Sequence, residues 1–356
     1  MIASVLSQIS SICLSLIGIT FIIVFHEFGH YIFCKLFNVY TPTFSIGIGK
    51  ILYSKKIGTT NFCVSAGPIG GYVEVASEKG PDGSLGFNEI PYYQKVLIML
   101  GGILFNFILT YVFLTCLYFT GMPDSGAAPY EVSTTIVSSV PKESINSALL
   151  QPNDQIISMD HQDIGSNLAL ARKIVAKQVT AKNTQIPVEV SRDGQIVELQ
   201  LHLKGEKTAP SITKQLEIEF QPKPPLSFKN SIIQAYVATK FYLKSIIAGL
   251  KDMVYARNTK GLVGPLMAVA VSSKSAQKGF SSLIFLLAII SINLGFMNLL
   301  PLPIFDGGQF VIFTIEAITR KELSEKVRNM IGMSSWVLAI GLLVLFTIRD
   351  LYTLIF

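Results

Sequence analysis

The sequence predicts a polytopic α-helical membrane protein with about four transmembrane helices and one inserted β-rich domain. Of its 356 residues, 50% are hydrophobic and only 15% are charged, and the mean hydropathy is +0.50. This composition excludes a wholly soluble chain. A helix needs roughly 20 apolar residues to cross a bilayer. Four stretches satisfy that length, at approximately Ile9 to Leu36, Val96 to Thr120, Leu283 to Leu302 and Met330 to Ile348.

The polar region between the second and third stretches, from Gly121 to Pro225, predicts the inserted domain. It contains strand-like runs at Gln155 to Met159, Ile186 to Ser191 and Ile196 to Leu203, and a helical run at Asn167 to Gln178. We therefore divide the chain into four parts. They are an N-terminal membrane half (1–120), an exported domain (121–222), an amphipathic helix with a linker (223–280) and a C-terminal membrane half (281–356).

The amphipathic helix is predicted from Phe228 to Tyr255, where apolar residues share one face and Lys240, Lys244 and Lys251 share another. It could lie in the membrane interface or pack on the membrane core of the protein. In the second membrane stretch, Gly101-Gly102 and Asn106 predict close helix packing.

Basic residues predict the orientation of the chain in the membrane, because short loops rich in Lys and Arg stay in the cytoplasm. We expect the two short loops inside, and the N-terminus and the exported domain outside. No basic stripe interleaved with aromatic residues is present, so nucleic-acid binding is excluded. The exported domain has no cysteine and therefore no disulfide framework. The basic residues of the two loops are Lys35, Lys50, Lys55, Lys56, Lys79 and Lys95, and Arg320, Lys321, Lys326 and Arg328.

The first membrane stretch carries the sequence His26-Glu27-Phe28-Gly29-His30, which predicts a metal site. On a helix, His26 and His30 lie four residues apart and therefore on one face. Two neutral imidazoles at this separation can bind one zinc ion, and Glu27 beside them can accept a proton from water. Ionisable side chains are costly to bury in a membrane segment and are functional by default. The alternative is a pair of structural histidines.

A catalytic zinc usually takes three protein ligands, so a third one is expected in or near a membrane segment. His161 and His202 lie in the exported domain and are not plausible ligands. Asp306 is the best candidate, in the run from Asn298 to Gly308, where two prolines and two glycines predict irregular backbone. Such backbone is tolerated at membrane depth only where it is buried or lines a cavity. Asp306 could instead, or in addition, be the N-cap of a following helix.

Taken together, these motifs resemble the site-2 protease family. More closely, the chain resembles bacterial regulated intramembrane zinc proteases with an exported PDZ domain. The resemblance runs along essentially the whole chain, and the two membrane motifs carry most of its weight. It implies that His26, His30 and Asp306 bind Zn²⁺ and that Glu27 is the general base. It also implies that Asn298 contacts the scissile carbonyl or its oxyanion.

The resemblance further implies that Gly67 to Val75 belongs to a membrane-associated β-hairpin that pairs with an unwound substrate segment. A hairpin that only shields the site from lipid is the alternative. The exported domain resembles a PDZ domain around Ala148 to Ile157, with Leu149, Asn153 and His161 where glycines are usual. Of these, Asn153 adopts left-handed geometry at the lowest cost. The substrate-binding residues implied are Gly70, Gly71, Tyr72, Val73, Pro301 and Pro303.

We therefore expect a zinc-dependent intramembrane endopeptidase in the bacterial inner membrane. Its partners would be the lipid bilayer and single-pass membrane proteins, such as a pre-cleaved membrane-bound regulator, or a signal-peptide remnant. Two alternatives are a non-enzymatic membrane adaptor, for which Glu27 would have no use, and a metal transporter. The transporter is disfavoured because the sequence offers one ligand cluster and no second site along a pathway.

Overall fold

The computed structural model describes residues 2–123, 133–165, 167–205, 212–222, 224–255, 264–321 and 323–355. Two compact units are present, one formed by residues 1–115 and 235–356 and the other by residues 116–234. The helices are α1 (Ile2–Leu36), α2 (Tyr92–Thr120), α3 (Leu168–Thr180), α4 (Ile212–Leu216), α5 (Phe228–Tyr255), α6 (Pro265–Gln277), α7 (Phe280–Asn298), α8 (Asp306–Thr319) and α9 (Glu325–Ile355). The strands are β1 (Thr43–Ile57), β2 (Thr60–Glu74), β3 (Ser133–Ser139), β4 (Gln155–Met159), β5 (Gln162–Asp163), β6 (Gln185–Arg192), β7 (Gln195–His202) and β8 (Glu219–Pro222).

Within the described ranges, four helices are long and apolar enough to cross a bilayer, over Leu6–Leu36, Tyr92–Thr120, Phe280–Asn298 and Lys326–Thr353. The predicted multi-pass helical membrane protein is confirmed in this respect. The third span ends at Asn298 and not at the predicted Leu302. Two prolines follow this end, and proline cannot continue a helix.

The larger unit is held together by close contacts among α1, α2 and α7. Ile22 of α1, Leu109 of α2 and Leu283 and Leu287 of α7 form a buried cluster. A β-carbon added to Gly29 would lie 2.3 Å from the carbonyl oxygen of Gly101, so α1 and α2 touch backbone to backbone. This contact confirms the close helix packing that the glycines predict.

Helix α9 is joined to α6 through one buried carboxylate. Asp350 is 4% exposed and accepts hydrogen bonds from the backbone amides of Gly264 (3.2 Å) and Met267 (2.9 Å) at the start of α6. The first amides of a helix have no partner within it, and a carboxylate there is also favoured by the helix dipole. This pairing accounts for a buried acidic side chain near the end of a largely apolar helix.

Strands β1 and β2 form the hairpin predicted between α1 and α2. Residues 51–57 pair with residues 60–65 near the turn, whereas residues 43–46 pair with both 61–64 and 71–74. The segment 71–74, called here the edge strand, pairs only with 43–46 among the described residues. The outer side of the edge strand is therefore not used by the sheet.

The smaller unit contains a six-stranded sheet with strand order β7-β6-β4-β3-β8, in which β5 pairs with β4. The predicted strand at Gln155–Met159 is confirmed residue for residue, and the other two predicted strands and the helix are confirmed with end shifts of one or two residues. Asn167 is the N-cap of α3, because its side chain accepts a hydrogen bond from the Leu170 amide. The core of this unit includes Ile156, Ile186, Leu201, Ile212 and Leu216.

Left-handed backbone occurs at two of the three positions where PDZ domains, which the inserted domain resembles in sequence, usually have glycine. Asn153 has φ 74° and His161 has φ 59°. His161 follows Asp160, which has φ 52°, in the two-residue turn between Met159 and Gln162. Two-residue hairpin turns with positive φ at both positions match the twist of the flanking strands. The turn therefore keeps its geometry although neither residue is glycine.

Helix α5 begins and ends at the predicted residues, and it has an exposed apolar face. Tyr236 is 62% exposed and Ile247 is 43% exposed, whereas the small residues Ser231, Ala235 and Ala238 are buried. The small residues therefore face the protein, and the larger apolar residues of the predicted face are available to lipid.

A buried ion pair stabilises the smaller unit. Asp154, whose side chain is 1% exposed, accepts hydrogen bonds from Arg192 Nε (2.8 Å) and Nη2 (2.7 Å) and from the Gln151 amide (2.8 Å). Burial raises the pKa of Asp154, but these hydrogen bonds and the charge of Arg192 outweigh it and hold that pKa below its usual range. The carboxylate therefore contributes stability that is present above the unfolded-state pKa of about 3.9 and is lost as the pH falls through the lower folded-state pKa.

We predict that Asp154→Asn destabilises this unit by about 3 kcal/mol at pH 7, because the Arg192 charge loses its partner. The substitution should also reduce the loss of stability below about pH 4. Pulse proteolysis of the full chain in urea, with thermolysin at pH 7 and pepsin at pH 3, measures both effects. Glu143→Gln, at an exposed position, is the matched control and should leave both unchanged. Equal stability of Asp154→Asn and the parent chain would contradict the assignment.

Candidate metal centre and active site

Three possible metal ligands from distant parts of the chain meet between α1 and α8. His26 and His30 are each 5% exposed, and their Nε2 atoms lie 3.2 Å apart. The Oδ2 atom of Asp306 lies 3.2 Å from His26 Nε2 and 3.4 Å from His30 Nε2. These are the three residues that the sequence singles out as ligands.

The geometry and chemistry of this cluster fit zinc. An ion about 2.0–2.1 Å from each of three ligands in a tetrahedral arrangement sets them about 3.3 Å apart, and the three observed separations match this spacing. Asp306 Oδ2 is buried and makes no hydrogen bond to any described residue. Two imidazoles and a carboxylate are a usual donor set for catalytic zinc, with a fourth position left open.

The loop from Leu299 to Phe305 brings Asp306 to the histidines by folding back over the first turn of α8. A β-carbon on Gly307 would lie 2.4 Å from the Leu299 carbonyl oxygen, and one on Gly308 would lie 2.1 Å from that of Leu302. Only glycine fits at either position. The alternative of Asp306 as an N-cap is wrong, because Phe305 is the N-cap and Asp306 is the first helical residue. The Asp306 carboxylate therefore does not cap the helix and faces the two histidines instead.

The sequence did not identify α2 as a wall of the site. A β-carbon on Gly102 would lie 2.5 Å from His30 Nε2 and 2.8 Å from His26 Nε2, so the two rings lie against bare backbone. The other ring nitrogen of each histidine also contacts α2. His30 Nδ1 lies 2.7 Å from the Ile98 carbonyl oxygen, and His26 Nδ1 lies 3.1 Å from the Asn106 amide. The signal available in the sequence is an asparagine within an apolar helix, which by itself predicts only close helix packing.

Glu27, the expected base, touches the edge strand of the hairpin. Its Oε2 accepts a hydrogen bond from the Val73 amide at 3.2 Å, and a β-carbon on Gly71 would lie 3.8 Å from its Cγ. The Thr20 hydroxyl donates to the Pro68 carbonyl oxygen. The edge strand therefore lies along α1 beside the metal ligands. Of the expected residues, Gly71, Tyr72 and Val73 belong to the edge strand, and Gly70 directly precedes it.

Asn298 is the last residue of α7, and its side-chain amide lies 3.3 Å from His26 Nε2. Pro301 and Pro303 lie in the loop before Asp306, and the carbonyl oxygen of Pro303 accepts a hydrogen bond from Gln309 Nε2 at 3.4 Å. His161 and His202 belong to the other unit of the chain, so neither is part of this cluster.

A buried cluster of two histidines and a carboxylate, with a glutamate on the same helix and apolar spans around it, defines a membrane metalloprotease. The chain belongs to peptidase family M50, whose model matches residues 14–342. It is a zinc metalloprotease of the site-2 protease type.

Relatives from three bacteria support this assignment along the length of the chain. A Clostridium perfringens protein named as a candidate zinc metalloprotease is 27% identical over 349 residues, covering 96% of this chain and 98% of its own. A similarly named Fusobacterium nucleatum protein is 27% identical over 340 residues, covering 94% of this chain and 96% of its own. A third, from Campylobacter jejuni, is 28% identical over 359 residues, covering 95% and 92%.

We predict that Gly102→Ala releases the metal and lowers proteolysis at least about 100-fold, because the added methyl group displaces both imidazoles. Metal analysis of the purified protein and cleavage of a reconstituted single-pass substrate measure these effects. Gly341→Ala in α9 is the matched control, since its added β-carbon meets no atom within 4 Å. Normal zinc content and activity in Gly102→Ala would contradict the close packing of α2 against the rings.

Proposed function

We propose that this metalloprotease is a zinc-dependent endopeptidase that cleaves transmembrane segments of single-pass membrane proteins. The supporting observation is the location of its candidate ligands. His26 and His30 lie within the first apolar span, and Asp306 reaches them from the start of α8. A site enclosed by apolar helices suits a substrate peptide that arrives from the bilayer.

His26, His30 and Asp306 would hold the zinc ion and leave one position open. Bound zinc would supply a Lewis acid that polarises the scissile carbonyl and makes water more acidic. Glu27 would accept the proton of the attacking water and deliver it to the leaving amine. Asn298 Nδ2, which lies 3.3 Å from His26 Nε2, would donate to the oxygen on which negative charge develops.

A transmembrane helix hides its peptide bonds in its own hydrogen bonds, so it must unwind before cleavage and its freed groups must be paired again. The edge strand offers such partners, because its outer side is not used by the sheet. The Val73 amide now donates to Glu27. A substrate strand pairing there would take over this amide and release the Glu27 carboxylate for proton transfer. Gly70, Gly71, Tyr72 and Val73 would then bind substrate, with Pro301 and Pro303 in the facing loop.

The remaining parts of the proposal concern location and substrate. The apolar helical spans and the bacterial relatives support a position in the bacterial cytoplasmic membrane, and loop charge supports an orientation with the inserted domain on the outer side. That domain would be a PDZ-like filter or docking platform that admits substrates already shortened outside the membrane. Such substrates include a pre-cleaved membrane-bound regulator and a leftover signal peptide.

We predict that Glu27→Gln lowers cleavage of a reconstituted transmembrane substrate by about 10²- to 10⁴-fold, because the amide cannot accept the proton. Zinc content should stay at the level of the parent chain, since Glu27 is not a proposed ligand. Glu78→Gln, at an exposed position, is the matched control. Normal cleavage by Glu27→Gln would contradict the role of Glu27 as the general base, whereas absence of cleavage by the parent chain would favour a non-enzymatic adaptor. Expression of the same variant in cells should trap uncleaved substrates for identification.

We predict that Val73→Pro lowers cleavage about tenfold, as expected from losing one backbone hydrogen bond to substrate of about 1–1.5 kcal/mol. Val73→Ala retains the amide and should keep most of the activity. Both variants should bind zinc normally, which separates the effect from damage to the metal centre. If Val73→Pro cleaves as fast as Val73→Ala, the edge strand does not pair with substrate.

A further inference from the structure

One face of α2 lies against both histidine rings. Ile98, Gly102 and Asn106 recur every four residues, the spacing that places side chains on one face of a helix. Gly102 gives the rings room, and the other two residues contact the ring nitrogens that point away from Asp306. Nothing in the proposed reaction accounts for Asn106.

The side chain of Asn106 is fully buried, and its hydrogen bonding identifies its role. Its amide nitrogen lies 3.1 Å from His26 Nδ1, while its Oδ1 makes no hydrogen bond to any described residue. A buried amide oxygen without a partner is costly. A neutral histidine that offers Nε2 to a metal carries its proton on Nδ1 and requires an acceptor there.

The amide of Asn106 can be rotated by 180°, because its two ends have nearly the same size and shape. The rotation supplies the acceptor that His26 Nδ1 requires. Oδ1 then accepts the proton of His26 Nδ1 and is no longer unpaired. His30 has the equivalent arrangement already, with the Ile98 carbonyl oxygen 2.7 Å from its Nδ1. Each imidazole is thereby held in the tautomer that presents Nε2 to the metal.

We infer that Asn106 is a positioning residue of the metal centre, whose side-chain oxygen fixes the tautomer and ring orientation of His26. This inference rests on the proposed zinc site and assigns a role to a residue outside the ligand set. Partners of this kind are needed for tight binding, because a ligand free to rotate or to protonate on the wrong nitrogen binds metal less well.

The surrounding helices hold Asn106 in place. The hydroxyls of Thr110 and Ser291 both donate to its backbone carbonyl oxygen at 3.0 Å. A β-carbon on Gly295 of α7 would lie 3.1 Å from the Asn106 Cβ, so α7 packs directly behind the side chain. The contacts of the backbone with α7 and of the amide with His26 are separate, and substitution can distinguish them.

Three variants of the full chain in detergent test the inference. Asn106→Leu keeps the size and removes the acceptor, Asn106→Asp keeps an acceptor, and Thr110→Val removes a neighbouring hydrogen bond without touching His26. Competition with a chelator gives the zinc dissociation constant. We expect Asn106→Leu to bind zinc about 10- to 100-fold more weakly. Asn106→Asp and Thr110→Val should stay within about threefold of the parent chain, below the effect expected for a lost partner.

Thermal unfolding separates positioning from packing. A 30-fold loss of affinity lowers the stabilisation by saturating zinc by about 2 kcal/mol, so Asn106→Leu should show a smaller zinc-induced rise in Tm from an unchanged metal-free Tm. Normal zinc affinity in Asn106→Leu overturns the inference. A loss of zinc affinity in Asn106→Asp as large as that in Asn106→Leu also overturns it. The same holds if the Tm of metal-free Asn106→Leu falls by as much as its zinc-bound Tm. A parent chain that binds no zinc overturns the proposed metal site itself, which is a different result.

A measurement on the parent chain covers the case in which Asn106→Leu does not fold. The chain has four histidines, so ¹⁵N-histidine spectra of the reconstituted, metal-free protein are simple enough to assign with a His26→Gln reference. We expect His26 to be protonated on Nδ1. Protonation on Nε2 would show that Asn106 donates to this histidine, and would overturn the inference.

Discussion

The burial of polar ligand atoms among apolar helices constrains the rest of the larger unit. His26, His30 and Asp306 lie where few water molecules can satisfy them, so each nitrogen and oxygen needs a partner from the chain or from a metal. Three of these atoms face one another at 3.2–3.4 Å. The remaining ring nitrogens turn to α2. This polar site is stable among apolar helices for two reasons. The two Nε2 atoms and the Asp306 oxygen can share one cation, and the two Nδ1 atoms contact polar groups of α2.

This arrangement requires the helices to approach more closely than ordinary side chains permit. Gly29 meets Gly101 backbone to backbone, Gly102 lies against both rings, and Gly307 fits beneath the loop that precedes α8. At each glycine, the absence of a side chain lets the glycine backbone itself contact the neighbouring segment or ring. The same contacts that fold the membrane unit therefore set the distances between the ligands. Structural and functional roles cannot be separated at these positions.

The hairpin concerns a different requirement, which is how an enzyme of this class would hydrogen-bond the peptide groups of an unwound substrate where water is scarce. Its edge strand runs beside α1, and the Val73 amide reaches Glu27 at 3.2 Å. Pairing a substrate strand at this edge would satisfy unwound peptide groups and place the scissile bond beside the proposed base. Backbone pairing is largely independent of side chains, which would suit the proposed cleavage of varied transmembrane segments.

The sequence by itself determined the four membrane spans, the inserted domain with its main strands, and the ligand candidates His26, His30 and Asp306. Apolar length, strand alternation and the four-residue histidine spacing are local properties, and a charged group in an apolar segment is conspicuous wherever it lies. Tertiary structure alone decided the role of α2, the rejection of Asp306 as an N-cap, and the contact between Val73 and Glu27. The first and the last depend on contacts between distant segments, such as the 2.7 Å from His30 Nδ1 to the Ile98 carbonyl oxygen and the 3.2 Å from the Val73 amide to Glu27. The second depends on the backbone conformation that the loop before α8 takes in the folded chain. No single stretch of sequence encodes such a distance, because it arises only when the helices have packed.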